Sequence, residues 1–193
     1  MAKFRKFQRP VDFEPKLTHV KRQLDEIDER CHLIELRTED ADTVHSQMET
    51  CMKFYRTMTE IKPEVEYVIK TGRQVVEKKQ VDFPDKLSAQ LDAIKQQYNV
   101  LGSQVTTGKQ GLEKAVKLTK KLRRETNALK EFIDSVDGDL TQKEGVEAPR
   151  DMDEELRWIK STQSDINKRQ PSVTTVTDLT SQLVAMAEEG ALS

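Results

Sequence analysis

From Leu87 to Leu140, apolar or small residues recur alternately four and three positions apart. The series runs Leu87, Leu91, Ile94, Tyr98, Leu101, Val105, Gly108, Leu112 and Ala115, then Thr119, Leu122, Thr126, Leu129, Ile133, Val136 and Leu140. That alternation marks helices sharing a coiled-coil seam. The register does not slip across these 54 residues. Gly108 and Gly111 each weaken a helix by about 1 kcal/mol relative to Ala, yet the frame passes through both. At 1.5 Å per residue the element would be roughly 80 Å long, too long to lie inside a globule.

Three further stretches carry the same spacing. The first, about 11–37, has Leu17, Val20, Leu24, Ile27, Cys31 and Ile34, with Pro15 in its opening turn. The second, about 40–79, has Val44, Met48, Cys51, Tyr55, Met58, Val65, Ile69, Gly72 and Val76. The segment VDFPDK follows it, and Pro84 suits the first position of the long helix, where a missing N–H costs nothing. The fourth stretch, about 151–188, has Met152, Leu156, Ile159, Ile166, Val173 and Val184, with Asp151 placed to cap it. Pro63 and Pro171 fall inside helices, where each is expected to remove a hydrogen bond and bend the chain.

The second and fourth stretches match at an offset of 108: Cys51 with Ile159, Met58 with Ile166, Pro63 with Pro171, Val65 with Val173, Val68 with Val176 and Val76 with Val184. The first matches the far half of the long one at an offset of 109, where Val20, Leu24, Ile27 and Cys31 meet Leu129, Ile133, Val136 and Leu140. This internal repeat predicts an all-α fold of three-helix antiparallel coiled-coil repeats joined by a continuous helix. In the order A, B, C–A′, B′, residues 1–10 are a lead-in, 11–112 a first repeat, and 113–193 a second with helices A′ and B′ only. After Met186 no helix C′ follows, so residues 143–193 are expected to be less stable than the first repeat, or to borrow a helix from another chain. A monomer is expected; a dimeric coiled-coil scaffold is the all-helical alternative.

Composition narrows the function. Hydrophobic residues are 35% and charged residues 34% of the chain, which favours a narrow seam over a thick core. Thirty-two basic residues nearly balance 34 acidic ones, so the global charge points to no nucleic-acid partner. Two cysteines, Cys31 and Cys51, make no disulfide framework, which suits a reduced cytoplasmic setting. The basic N-terminus lacks the apolar segment of a secretory signal.

The segments FQRPVDFEPKL (7–17), VEYVIKTGRQVVEKKQ (65–80) and LGSQVTTGKQGLEKAVKLTKKLRRE (101–125), with the stretch around Leu156–Trp158, resemble the spectrin repeats of the dystrophin/utrophin central rod. The likeness covers nearly the whole chain. It implies a non-enzymatic cytoskeletal segment at the cytoplasmic face of the plasma membrane, an elastic spacer between cortical actin and a membrane glycoprotein complex. The family's calponin-homology, WW, EF-hand and ZZ modules have no counterpart in this sequence, so contact with the dystrophin-associated glycoprotein complex is expected only through domains absent from it. The family usually keeps a Trp in helix A and another in helix C; here those places fall to Leu24 or Phe132, and to Tyr98, and looser packing is expected there.

One local feature stands out. Lys109, Lys114, Lys117, Lys120, Lys121, Arg123 and Arg124 face a single acid, Glu113, before Glu125. Lys114, Lys117, Lys121 and Arg124 recur three and four apart and form one stripe. Lys114, Lys117, Lys120, Lys121, Arg123 and Arg124 are therefore the candidate site for actin filaments or anionic lipid, attracted at long range and screened by salt. The bland reading is a solvated helix face opposite acids of neighbouring helices. No cofactor, metal or catalytic group is expected. His19, His32, His45, Cys31 and Cys51 lack the tight pairing of zinc ligands. GSQVTTGK (102–109) has five residues between its glycines instead of four, and no preceding strand. Asp151, Asp153, Glu154 and Glu155 suit a helix N-terminus, and Trp158 fits burial between helices better than a surface anchor.

Overall fold

In the computed structural model, which describes residues 10–31, 41–145 and 151–191, four long helices follow one another: α1 (Phe13–Arg30), α2 (Ala41–Glu77), α3 (Pro84–Glu144) and α4 (Met152–Ala191). No strand occurs among the described residues. The fold is all-α and spectrin-like, and α3 runs for 61 residues without interruption. Helices α2 and α4 continue through Pro63 and Pro171, so each proline removes one hydrogen bond without ending its helix. Ile34 lies outside the described residues.

Local chemistry sets the helix ends. Pro84 opens α3 with Asp85 in its first turn. The Asp153 N–H donates to Asp151 Oδ1 at 2.9 Å, so Asp151 caps α4. At the end of α2, the Gln80 N–H reaches Val75 O and the Lys79 N–H reaches Val76 O, both at 3.0 Å. This is a Schellman closure. Its left-handed position, normally glycine, is Lys79 at φ 52°, a conformation that costs an L-residue about 1–2 kcal/mol.

Among the described residues, 10–31 and 42–113 form one compact unit, and 114–145 and 151–191 belong to a second. In the first, contacts between α1 and α2 run in opposite directions: Asp12 meets Tyr67, and Arg30 lies over Phe54. Helices α2 and α3 are also antiparallel, with Tyr98 bonded to Met58 and Asp92 to Arg73. Helices α1 and α3 run together, Gln97 meeting Asp25 and Gln104 meeting Cys31. The result is an up-down-up bundle.

Its core is Phe13, Leu17, Val20, Leu24 and Ile27 of α1, Leu87, Leu91, Ile94, Leu101, Val105 and Leu112 of α3, and two stripes of α2. One α2 stripe is the predicted frame through Cys51, Met58 and Val65. The other, Phe54, Ile61, Val68 and Val75, repeats every seventh residue and is equally buried. The single-frame reading of the sequence missed it. A helix with two neighbours needs an apolar surface wider than one seam. Tyr55, in the predicted frame, is 40% exposed because it sits at the outer edge of that surface. Leu24 is fully buried, and the half-buried Tyr98 donates its hydroxyl to Met58 O at 3.2 Å.

Helix α3 packs close against the α2 backbone at Gly72. A Cβ there would stand 2.6 Å from Leu91 Cδ1, and Leu91 is completely buried. Further along, the buried Cys51 thiol points at Val105 O, 3.6 Å away. Burial pushes its pKa from 9.0 up to about 11, because the thiolate would lose hydration there.

In the second unit the contacts also run in opposite directions. Lys143 lies 4.7 Å over the Trp158 ring, and Arg169 lies 4.8 Å over Phe132. Lys143 also pairs with Glu155 at 3.0 Å. The far half of α3 and α4 thus form an antiparallel hairpin, with Trp158 half-buried within it.

Two measurements check this packing. Gly72→Ala should cost about 1–3 kcal/mol in urea unfolding, as over-packing does. Gly111→Ala, with no atom within 4 Å of the added carbon, should be neutral or stabilising by up to about 1 kcal/mol. For Cys51, the raised folded pKa means stability is fully present below pH 9 and is lost as pH rises to 11. At about 1.4 kcal/mol per pKa unit the loss should approach roughly 2–3 kcal/mol. Cys51→Val should lose correspondingly less over the same interval, and an identical pH profile would contradict the assignment.

Candidate functional site

The six predicted cations Lys114, Lys117, Lys120, Lys121, Arg123 and Arg124 all lie on α3 and are all exposed. Leu112 and Ala115 beside the first of them are buried, so the helix is anchored on one side and its lysines are held on the other. Lys114, Lys117, Lys121 and Arg124 fall along one face. Among the described residues, Lys114, Lys117, Lys120, Lys121 and Arg124 form no ion pair. Arg123 has a partner of its own.

Lys109, at the head of the same run, behaves differently. Its ammonium pairs with Glu113 at 2.8 Å and stands 5.4 Å over the Tyr55 ring. The Glu113 hydrogen bond raises its pKa above the usual lysine value. Lys109 is thus engaged both within α3 and with α2.

A second polar cluster closes the start of α1. Asp12 stands at the N-cap position but caps nothing with its side chain. Its carboxylate instead accepts from Tyr67 Oη at 2.8 Å and pairs with Lys16 at 3.1 Å. The Lys16 ammonium lies 4.2 Å over the Tyr67 ring. The Tyr67 hydrogen bond, and then Lys16, hold the Asp12 carboxyl below the usual range, while Asp12 raises both Tyr67 and Lys16. This tie between α1 and α2 is exposed, and it orients helices without forming a pocket.

The other sequence candidates disperse. His19 stands 3.7 Å from Glu64, and His45 stands 3.8 Å from Glu49. Cys51 is buried, Cys31 half-buried against Gln104, and His32 lies outside the described residues. No three His, Cys, Asp or Glu gather as a metal site among the described residues. Residues 102–109 are helical throughout, which denies a phosphate the looped backbone amides it needs. Of the acids near the start of α4, Asp151 caps and Glu155 pairs with Lys143. Among the described residues no helix is long and apolar enough to cross a membrane.

Sequence reasoning found the basic stripe from charge spacing alone. It missed the ring stacking of Lys143 and Arg169, because partners on different helices leave no short-range signal in the chain.

The chain is 39% identical over 185 residues to utrophin of Rattus norvegicus, an alignment covering 94% of this chain and 5% of that relative. It is 36% identical over 110 residues to dystrophin, isoforms A/C/F/G/H, of Drosophila melanogaster, covering 57% of this chain and 3% of that relative. No protein-family profile matches the chain. No solved structure matches it. It spans only a small part of either relative. Likeness along nearly the whole chain joins the up-down-up packing of the first unit and the unbroken α3, and identifies these helices as spectrin-like repeats of the dystrophin/utrophin rod.

Proposed function

We propose that the chain is a mechanical segment of a cytoskeletal linker, a spacer between cortical actin and a membrane glycoprotein complex, without catalytic activity. The observation that carries this reading is utrophin likeness over 94% of the chain together with a 61-residue helix that passes unbroken from one repeat into the next. A spacer has to lose and regain its packing repeatedly. Helical bundles rely on contacts close in sequence and refold in microseconds to milliseconds, fast enough to recover between pulls. The site of action is then the cytoplasmic face of the plasma membrane. Stretching single chains between their termini should give unfolding and full recovery over repeated cycles; chains that fail to recover their length after the first pull would remove this role.

The unpaired stripe favours a second reading, lateral docking onto an acidic surface. Lys114, Lys117, Lys120, Lys121 and Arg124 spend none of their charge on described neighbours, and Arg123 lies beside them on the exposed side of α3. Actin filaments are the acidic surface this reading selects, with anionic lipid as the alternative. Attraction of this kind is screened over roughly 8–10 Å at physiological salt. Cosedimentation with actin filaments should therefore weaken steeply between low and high salt. Reversal of Lys117, Lys121 and Arg124 to Glu should abolish it, and binding indifferent to both changes would eliminate the stripe as the docking surface.

A further inference from the structure

Both cysteines of the chain fall in one layer of the first unit. The Cys31 thiol donates to Gln104 Oε1 and the Cys51 thiol to Val105 O, each at 3.6 Å. Helices α1 and α2 thus direct their sulfurs at consecutive residues of α3. Antiparallel register sets the two cysteines opposite each other. Asp12 meets Tyr67, His19 meets Glu64, and Arg30, the residue before Cys31, lies over Phe54, one turn of α2 from Cys51. Cys51 belongs to the buried core, and Cys31 packs against it. A thiolate at Cys31 is near enough to push the Cys51 pKa further up.

The spacing suits a covalent bond. Axes of packed helices stand about 8–10 Å apart, and each Cα lies about 2.3 Å from its axis. Facing Cα atoms then fall close to the range of about 4.4–6.8 Å that a disulfide spans. Each sulfur is held in place only by a weak S–H hydrogen bond.

Packing alone does not call for sulfur in this layer. At the other occurrence of the repeat, the equivalents of Cys31 and Cys51 are Leu140 and Ile159. The first unit fills both places with thiols, and both thiols are free. Their exposure differs: Cys31 is half-buried, while Cys51 is 0% exposed. Solvent therefore reaches one sulfur and not the other.

We propose that Cys31 and Cys51 form a modification site, at which peroxide joins them in a disulfide that locks α1 to α2. Cys31 is oxidised first. Its sulfur attacks one peroxide oxygen, the O–O bond breaks, and the departing hydroxide leaves as water with the thiol proton. Cys51 then attacks the sulfenic sulfur of Cys31. The S–S bond forms, the S–O bond breaks, and the hydroxide takes the Cys51 proton to leave as a second water. Two thiols and one peroxide give one disulfide and two waters. In a reducing compartment such a bond is transient and acts as a sensor. The bond stands independently of the spacer reading; only its mechanical consequence rests on that reading, because residues 32–50 no longer lengthen when the bundle opens.

The full chain treated with hydrogen peroxide should lose two hydrogens by intact mass, stay a monomer by sedimentation, and yield a reductant-sensitive peptide pair joining Cys31 to Cys51. Cys51→Val should leave Cys31 as a sulfenic acid that dimedone traps, and Cys31→Ser should leave Cys51 unmodified. Stretched between its termini, the oxidised chain should come out shorter than the reduced one by about 70 Å, at about 3.3–3.6 Å for each residue held inside the loop. Peroxide that carries Cys31 to the sulfinic acid, or joins it to a second chain, while Cys51 remains a thiol would overturn the proposal. A Cys31–Cys51 bond in a chain that fails to recover its length after pulling would sustain the site and remove the spacer reading.

Discussion

The first unit depends on one helix serving two neighbours. Helix α2 places Cys51, Met58 and Gly72 against α3, and Phe54, with Tyr67 beside the other buried stripe, against α1. Removing either neighbour would return a row of fully buried side chains to water, at about 1.5–3 kcal/mol for each large one. The polar contacts are smaller by comparison. Arg73–Asp92 and Lys16–Asp12 join side chains that are 39–61% exposed, and such pairs contribute about 0–1 kcal/mol. Burial decides that the helices associate. The ion pairs and the Tyr67–Asp12 bond help to fix which residue stands opposite which.

Gly72 shows how closely that association is specified. Only a residue without a side chain lets Leu91 seat itself against the α2 backbone, and the repeat equivalent of Gly72 is Thr180, which faces solvent. The same period therefore carries different packing in its two occurrences. Where a neighbour is present, the stripe is small and tightly fitted. Where none is present, branched apolar residues such as Ile159 and Ile166 remain half in water.

The second unit keeps its hairpin by other means. Lys143 pairs with Glu155 with only 26% and 22% of the two side chains exposed, and it also covers the Trp158 ring. Arg169 does the same for Phe132. Here long cationic side chains of one helix lay their stems and charge over an aromatic ring of the other. Elsewhere on α3, Lys114, Lys117, Lys120, Lys121 and Arg124 have no such ring or acid among the described residues.

The sequence by itself determined the helices, their order, the unbroken passage through residues 87–140 and the 108-residue period. Each of these is a local or periodic property, written in residues three, four or seven apart. It also determined the basic stripe, because charge spacing on one helix needs no second helix to be read. Tertiary structure alone decided that α2 buries the Phe54–Val75 row as well as its predicted frame, that Gly72 is a point of close approach, and that Lys109 is tied while Lys114 is not. It likewise decided which apolar stripe of α4 is covered. The physical reason is the same throughout: periodicity fixes which residues share a face, but how many neighbours that face meets depends on segments tens of residues away in the chain.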